Sequence, residues 1–130
     1  MTDVEQTSAP PATVIWEGNS RTVTQSFPVA VRRGLGQELF RVQLGAKPLD
    51  SRPMQSIGAG VFELRQADRN GWYRVVYVRR VGNRVFVLHS FVKKSAKTPA
   101  KDLKIAKDRL KAVDARLAEE KKELKDEKKK

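Results

Sequence analysis

The sequence contains no cysteine and only one histidine among its 130 residues. Without cysteine the chain can form neither a disulfide nor a thiolate metal site, which suits a reducing cytoplasm. A single histidine, with no pair of acidic residues at neighbouring positions outside the C-terminal run, leaves too few ligands for a catalytic metal. The glycines also lack the GxGxxG and GxxxxGK spacings of phosphate-binding loops. We therefore expect a protein without a metal or another cofactor.

Long apolar runs are missing as well. No stretch approaches 18 consecutive apolar residues, so the sequence predicts no membrane span. The first twelve residues, MTDVEQTSAPPA, carry two acidic residues and no basic ones, unlike a secretory signal, and they indicate a loose leader. The length allows one modest core. We predict one domain over residues 13–112 and a lysine-rich helical extension over residues 113–130.

Positive charge is what the sequence has in excess. Lysine and arginine number 27 against 15 aspartate and glutamate residues, which gives a net charge of +12. Such a charge favours a nucleic-acid ligand, RNA or DNA, because phosphate binding releases counterions. An acidic partner protein would compensate the charge equally well. Composition therefore indicates a polyanionic partner.

The N-terminal half predicts one strand and two helices. TVIWEG, residues 13–18, is typical of a strand, and NSRTVTQSF predicts a short helix before Pro28. A second helix follows from an apolar residue at every third or fourth position, with arginines and Glu38 on the other side: Val31, Leu35, Leu39 and Val42. Gly34 and Gly36 oppose this helix, and Gly45 marks its end. Residues 46–60 predict an ordered surface loop.

Three further runs predict an antiparallel meander. VFELRQ, WYRVVYVRR and RVFVLHSFV are separated by the turn sequences Asn70-Gly71 and Gly82-Asn83. Alternation in the third run predicts one face with Val85, Val87, His89 and Phe91, and the other with Phe86, Leu88 and Val92. Both faces are therefore covered, one by the second helix and the other by the last helix or a partner. The predicted fold is α+β, a twisted antiparallel sheet of about four strands with two N-terminal helices and a C-terminal helix.

The last helix has a defined start in the sequence. Thr98 is its predicted N-cap, Pro99 suits the first helical position, and Asp102 lies in the first turn. Its apolar seam consists of Leu103, Ala106, Leu110, Val113, Leu117 and Leu124. The second half has few apolar residues, so it is either a solvated helix that frays or a seam for a partner. The composition favours fraying.

Two arginines of the meander are candidates for binding a substrate. Arg65 shares a face with Glu63, away from the larger apolar side chains, so it either binds a ligand or pairs with Glu63 or Glu38. Arg74 lies inside an apolar run and needs a partner, which makes a structural ion pair as good an interpretation as a substrate contact. Tyr73 and Tyr77 face the other way from Arg74, and either one stacks on a base or fills the core.

The third strand ends in a row of three side chains, His89, Phe91 and Lys93, followed by Lys94 and Lys97. Cleaving RNA without a metal requires a base, an acid and cations for the charge that develops on phosphorus. Histidine can transfer a proton near neutral pH, and lysine can hold phosphate. The alternative is a partly buried histidine bonded to a backbone carbonyl beside ordinary surface lysines. The residues alone leave both interpretations open.

Three segments in this order, MQSIGAGVFELR, YRVVYV and VLHSFVKKSAKTPAKDLKIAKDRL, resemble the RelE/ParE toxin superfamily and in particular its HigB-like, phage-derived branch. The resemblance covers residues 13 to about 112. It implies a toxin of a type II toxin–antitoxin system, a metal-independent endoribonuclease that cuts mRNA in the ribosomal A site. It also implies a cognate antitoxin, often a small helix-turn-helix protein, held with the toxin in a hetero-oligomer.

Motif positions transfer the family's functional residues to this chain. The resemblance gives catalytic roles to Arg65, His89 and Lys93. Substrate contacts are expected, from the resemblance or from the strand pattern, for Tyr73, Arg74, Phe91, Lys94 and Lys97. The C-terminal extension is longer than compact toxins need. Because the ParE branch poisons DNA gyrase without cleaving RNA, a non-cleaving inhibitor is an alternative, and a noncatalytic phage nucleic-acid-binding protein is another.

Overall fold

The computed structural model describes residues 10–128, apart from the side chains of residues 79 and 80. Residues 1–9 of the predicted leader and the last two residues of the predicted extension lie outside this range. The elements are β1 (Thr13–Trp16), α1 (Ser20–Gln25), α2 (Val29–Gln43), β2 (Ser51–Pro53), β3 (Val61–Asp68), β4 (Gly71–Val81), β5 (Arg84–Lys93) and α3 (Ala100–Lys128). Within the described residues, no helix has the length and apolar character needed to cross a membrane.

The five strands form one sheet in the order β1-β5-β4-β3-β2. The predicted meander of β3, β4 and β5 is confirmed. β1 runs parallel to β5, so the sheet is mixed and not wholly antiparallel as predicted. The fifth strand, β2, lies in the segment 46–60 that was predicted to be a loop. It pairs with β3 at the edge of the sheet. Pro53 is tolerated there because the outer side of an edge strand has no neighbouring strand to which a backbone N–H would donate.

Helix α2 covers one face of the sheet. Its predicted apolar stripe is confirmed, because all four of its residues are buried: Val31, Leu35, Leu39 and Val42. Glu38 was predicted on the solvated side, but only 6% of it is exposed. Its two carboxylate oxygens accept hydrogen bonds from the Leu49 N–H at 3.0 and 3.2 Å. Gly45, at φ +80°, follows the end of the helix as predicted.

Helix α3 covers the other face through Ala106 and Val113, which are both fully buried. Both faces of the sheet are therefore partly covered by the chain itself. Beyond this core, Arg116 donates to Glu17 at 2.7 Å and Arg84 donates to Glu120 at 2.7 Å. The helix continues to Lys128, and the predicted boundary after residue 112 falls inside it.

The start of α3 differs by one residue from the prediction. The helix begins at Ala100, and the Pro99 carbonyl accepts hydrogen bonds from the Asp102 and Leu103 N–H groups at 3.0 and 3.1 Å. Pro99 is therefore the capping residue, and Thr98 is not. The Thr98 hydroxyl instead accepts a hydrogen bond from Lys93.

A β-bulge at Leu88 divides β5 into two parts. Tyr77 pairs with Val87, whereas Val76 pairs with His89, so Leu88 has no opposite residue in β4. The extra residue reverses the alternation of side chains beyond it. Val85 and Val87 consequently face α2, while Phe91 faces α3 with Phe86 and Leu88. The predicted face that combined Val85 and Val87 with His89 and Phe91 is therefore wrong.

Candidate nucleic-acid interface

The strand register gathers the predicted cations on the α3 side of the sheet. Arg65 pairs with Arg74, Arg74 pairs with Phe91, and Trp72 pairs with Lys93. Paired residues project to the same face of a sheet. The three cations Arg65, Arg74 and Lys93, here called the basic cluster, therefore lie around Trp72 at one end of this face.

Arg74 is the buried member of the basic cluster. It is 5% exposed and donates a hydrogen bond to Glu63, which is 1% exposed. This is the structural ion pair that the sequence left open as one alternative, and it offsets the cost of burying either charge. Within the described residues, Arg74 Nε and Glu63 Oε2 have no hydrogen-bond partner. The pair thus keeps one unused donor and one unused acceptor beneath Trp72.

Lys93 lies at the end of β5 and is 6% exposed. Its Nζ donates a hydrogen bond to the Thr98 hydroxyl at 3.3 Å. Burial lowers the pKa of Lys93, and the positive charge of Arg74 lowers it further, while Glu63 opposes the shift. A lysine with a lowered pKa releases and regains its proton more readily near neutral pH than an exposed lysine does.

Trp72 is the functional candidate that the sequence prediction missed. It is 45% exposed, and the guanidinium carbons of Arg65 and Arg74 lie 5.8 and 5.6 Å from its ring centre. These distances allow cation–π attraction. Its position directly after the Asn70-Gly71 turn, two residues before Arg74, was the available signal. An exposed indole held between guanidinium groups is a surface on which a nucleobase can stack.

Arg65 is partly exposed and held by Asp50. Its Nε and Nη2 donate to the same carboxylate oxygen, Oδ1, at 3.1 and 2.8 Å. The predicted partners Glu63 and Glu38 are therefore wrong. Asp50 belongs to the loop before β2, so this contact also fixes the loop next to the basic cluster. Arg52 also lowers the pKa of Lys93. Arg52 and the three residues of the basic cluster are therefore four cations beside two carboxylates, Glu63 and Asp50.

His89, predicted to be catalytic, lies beneath α3. It is 6% exposed, and its Nε2 lies 2.7 Å from the Asp102 carboxylate. Its Nδ1 lies 3.4 Å from Arg109 Nη1, and its ring stacks on Phe91 with 5.3 Å between the ring centres. Both ring nitrogens thus face α3, and the partner is a carboxylate instead of the expected backbone carbonyl. This geometry connects the sheet to α3 and leaves His89 covered.

Arg109 completes this connection at the bulge. It donates to the Leu88 carbonyl at 2.9 Å, and its other terminal nitrogen donates to Asn19 Oδ1 at 2.9 Å. Asp102 and Arg109 are two helical turns apart and therefore share one face of α3. Together they hold α3 on the bulged part of β5. The sequence identified Asp102 only as an acidic residue in the first turn of the helix and did not identify Arg109, because these contacts depend on the bulge.

The remaining predicted residues divide between core and surface. Tyr73 is 5% exposed and lies on the α2 face against Phe27, opposite the basic cluster. Phe91 is 7% exposed and belongs to the core beneath α3. Lys94 and Lys97 are exposed in the segment between β5 and α3. They remain available to a ligand.

His89 makes the stability of the protein depend on pH in a predictable direction. Burial lowers the pKa of His89, with Asp102 opposing this effect and Arg109 adding to it. Below the ordinary value of about 6.5, the unfolded chain therefore binds a proton that the folded chain does not, so acid removes stability. We expect the advantage of the wild type over His89→Gln in free energy of unfolding to be full at pH 8 and to fall towards pH 5.

Urea unfolding of both proteins at pH 8, 7, 6 and 5 measures this advantage. Subtracting one curve from the other cancels the titration of groups remote from the substitution and leaves that of His89 together with its partner Asp102. An advantage that stays constant, or that grows towards pH 5, would show that folded His89 is not held in its neutral form.

A small α+β protein with a basic, tryptophan-bearing sheet face is the class that fold and site define together. The model of the family "Phage derived protein Gp49-like (DUF891)" matches residues 23–111, more than half of the chain. The chain therefore belongs to this family of RelE/HigB-type toxins, which confirms the resemblance found in the sequence.

Among solved structures, the chain is similar to one chain of the toxin–antitoxin complex RelBE2 from Mycobacterium tuberculosis. The identity is 20% and the TM-score is 0.41, and the match covers 65% of this chain and 100% of the other. No curated protein sequence matches the chain.

Proposed function

We propose that the protein is a toxin of a type II toxin–antitoxin system that cleaves mRNA on the ribosome without a metal, in the cytoplasm, and is neutralised by a cognate antitoxin. The observation that carries this proposal is the basic cluster around the exposed Trp72. Such a surface provides two things that an RNA nuclease needs, which are cations for a phosphate and an aromatic ring for a base. Family membership supports the same assignment.

The geometry suggests a division of roles within this site. Arg65 holds the scissile phosphate through charge-assisted hydrogen bonds, and the buried charge of Arg74 adds to the attraction. Trp72 stacks on a neighbouring base. Lys93, which belongs to the basic cluster and has a lowered pKa, is the group that transfers a proton in place of His89, whose ring nitrogens face α3. Lys94 and Lys97 hold the flanking backbone.

One experiment in cells tests the activity against its alternatives. The chain is expressed alone in bacteria, and mRNA 5′ ends and plasmid topology are mapped from the same culture. The proposal expects growth arrest with new 5′ ends inside coding sequences and unchanged supercoiling. Relaxed plasmids with intact mRNA would instead identify a non-cleaving inhibitor of gyrase. Normal growth with neither change would leave only a noncatalytic nucleic-acid-binding protein.

Trp72→Ala is expected to weaken RNA binding by about 5- to 150-fold, since stacking on an aromatic side chain is worth about 1–3 kcal/mol per base. Trp72→Phe retains a flat ring and should recover most of the affinity. Fluorescence anisotropy with a short single-stranded RNA measures both variants. The outcome against a stacking role would be equal affinity for the wild type and the alanine variant.

A further inference from the structure

A groove of about 420 Å³, here called the α3 groove, lies between the first half of α3 and the loop that joins β2 to β3. Its lining begins at Ala100, two residues after Thr98, whose hydroxyl accepts the hydrogen bond from Lys93. The lining ends at Asp114, which is about 21 Å further along the helix axis. Helix α3 packs on the face of the sheet that carries the basic cluster. The α3 groove therefore leads away from the basic cluster on the same side of the molecule.

The α3 groove has an apolar floor. Ile57 of the loop is buried, and Leu103 and Leu110 of the helix are partly buried beside it. A Cβ built at Gly58 would come within 2.5 Å of the end of the Leu110 side chain, so the loop lies directly against the helix here. The volume of the groove lies within the range of about 300–1,000 Å³ that is usual for small-ligand sites. A nucleotide is a ligand of this size.

Three exposed lysines of α3 line the edge of the groove: Lys104, Lys107 and Lys111. They are three or four residues apart, so they share one side of the helix over about 10 Å. Lys104 donates to Asp108 at 2.9 Å, in an exposed ion pair of the kind that contributes little to stability. Among the ion pairs of residues 10–128, none involves Lys107 or Lys111. These two lysines are available to an anionic ligand.

Two carboxylates, Asp108 and Asp114, also line the groove. An acidic helix would be repelled by these carboxylates, and a basic helix would be repelled by the lysines. A nucleotide carries a partner for each sign of charge. Its phosphate is an anion, and the edge of its base has N–H donors from which a carboxylate accepts. Mixed charge above an apolar floor therefore favours single-stranded RNA over a charged protein helix.

We infer that the α3 groove binds the RNA segment next to the cleavage site, with phosphates on Lys107 and Lys111 and a base on the apolar floor. This inference rests on the proposed function and extends it, because it adds a second RNA-binding site beyond Trp72. RNA on this path passes Lys93 and places two further phosphates on the groove. Longer RNA should therefore bind more tightly than RNA that fills the basic cluster alone.

The test compares a single-stranded RNA of about three nucleotides with two RNAs that are extended by about three nucleotides, one at the 5′ end and one at the 3′ end. All carry 2′-O-methyl groups, which remove the ribose hydroxyl that metal-free cleavage requires. Fluorescence anisotropy measures their affinity for the wild type, for the groove variant Lys107→Gln with Lys111→Gln, and for a control variant. The control is Lys121→Gln with Lys122→Gln, because both lysines are exposed on α3 outside the groove. Circular dichroism compares the helix content of all three proteins.

We expect the wild type to bind one of the two extended RNAs more tightly than the short RNA, and the groove variant to lose this gain. Each phosphate contact with a single strand adds about 0.7 to the slope of log K against log salt, which corresponds to about fivefold in affinity at about 0.1 M salt. The groove variant should therefore bind the extended RNA about 25-fold more weakly, with a slope lower by about 1.4. Its affinity for the short RNA, and both affinities of the control variant, should change by less than about twofold, because salt screens distant charges.

Extended RNA that bound no more tightly than the short RNA, or that lost as much affinity with the control variant as with the groove variant, would overturn the inference while leaving the basic cluster as the RNA site. Failure of the wild type to bind any of the three RNAs would overturn the proposed function together with the inference. An acidic helical peptide that the groove variant no longer bound, with all RNA affinities unchanged, would assign the groove to a protein partner and overturn the inference as well.

Discussion

Glu63→Ala is expected to lower the free energy of unfolding by about 3–5 kcal/mol, which is the largest effect on stability that we predict for a single substitution. The carboxylate of Glu63 is the hydrogen-bonded counter-ion of Arg74, and both residues are almost completely buried. Removing the carboxylate leaves a guanidinium in the interior without a partner for its charge. Urea unfolding followed by circular dichroism measures the change.

Two controls separate this mechanism from a general loss of packing. The double variant Glu63→Leu with Arg74→Met removes both charges and refills the space, and it should recover most of the lost stability. Asp50→Ala breaks the more exposed pair with Arg65 and should cost at most about 1 kcal/mol. If the double variant were as unstable as Glu63→Ala, the unpaired charge would not be the cause.

The buried ion pair of Arg74 and Glu63 also contributes to the position of the candidate site. Arg74 and Glu63 place fixed charges inside the sheet, directly beside Lys93 and below Trp72. A preorganised cation of this kind costs stability during folding and then needs little rearrangement when a phosphate arrives. Stability and the proposed activity therefore depend on the same two residues, and Lys93 is the nearby group whose removal should affect activity with less loss of stability.

The sheet and the stripe of α2 could be predicted from the sequence because both follow simple periodicities. Within residues 61–93, turn signals separate three runs in which successive side chains alternate between the two faces of a strand. On α2, an apolar residue recurs at every third or fourth position: Val31, Leu35, Leu39 and Val42. Gly34 opposed that helix in the sequence. In the structure, a Cβ at Gly34 would come within 2.6 Å of the amide end of the Gln66 side chain, which lies against the helix at this position. This contact depends on packing and cannot be found in a local pattern.

The errors at the candidate site have one main cause, which is the bulge at Leu88. A strict alternation puts Val85, Val87 and His89 on one face, whereas one inserted residue sends His89 to the other. Bulges have no dependable signature in a single sequence. The contacts of His89 with Asp102 and Arg109 depend on that reversal, so these partners of the histidine could not be predicted.

The cations were easier to place than their partners. Arg65, Arg74 and Lys93 were each identified from the sequence as candidates for the site, and the strand register brings them to one side of the meander. The pairing of Asp50 with Arg65 depends on the edge strand β2, which begins directly after Asp50. Residues 46–60, which include β2, contain two prolines and two glycines, so their sequence predicted a loop. Trp72 was missed because an aromatic residue in a strand is usually interpreted as core.

Lys93→Met is expected to lower the rate at which the protein cleaves mRNA on translating ribosomes by about 10²- to 10⁴-fold. This is the usual contribution of a group that transfers a proton in the transition state. Burial and the charge of Arg74 lower the pKa of Lys93 and thereby suit it to this role. The measurement is a time course of cleaved mRNA in a purified translation system. Unfolding curves of the same preparations show whether the variant is folded at the assay temperature.

Lys93→Arg separates proton transfer from simple attraction of the phosphate. Arginine retains the positive charge but does not release its proton in proteins, so this variant should lose at least about 10² in rate if Lys93 transfers a proton. Lys121→Met provides the control, because this lysine is exposed on α3 outside the proposed site and should leave the rate unchanged. If Lys93→Arg cleaved mRNA at nearly the wild-type rate, Lys93 would only bind the phosphate, and the proton would have to be transferred by another group.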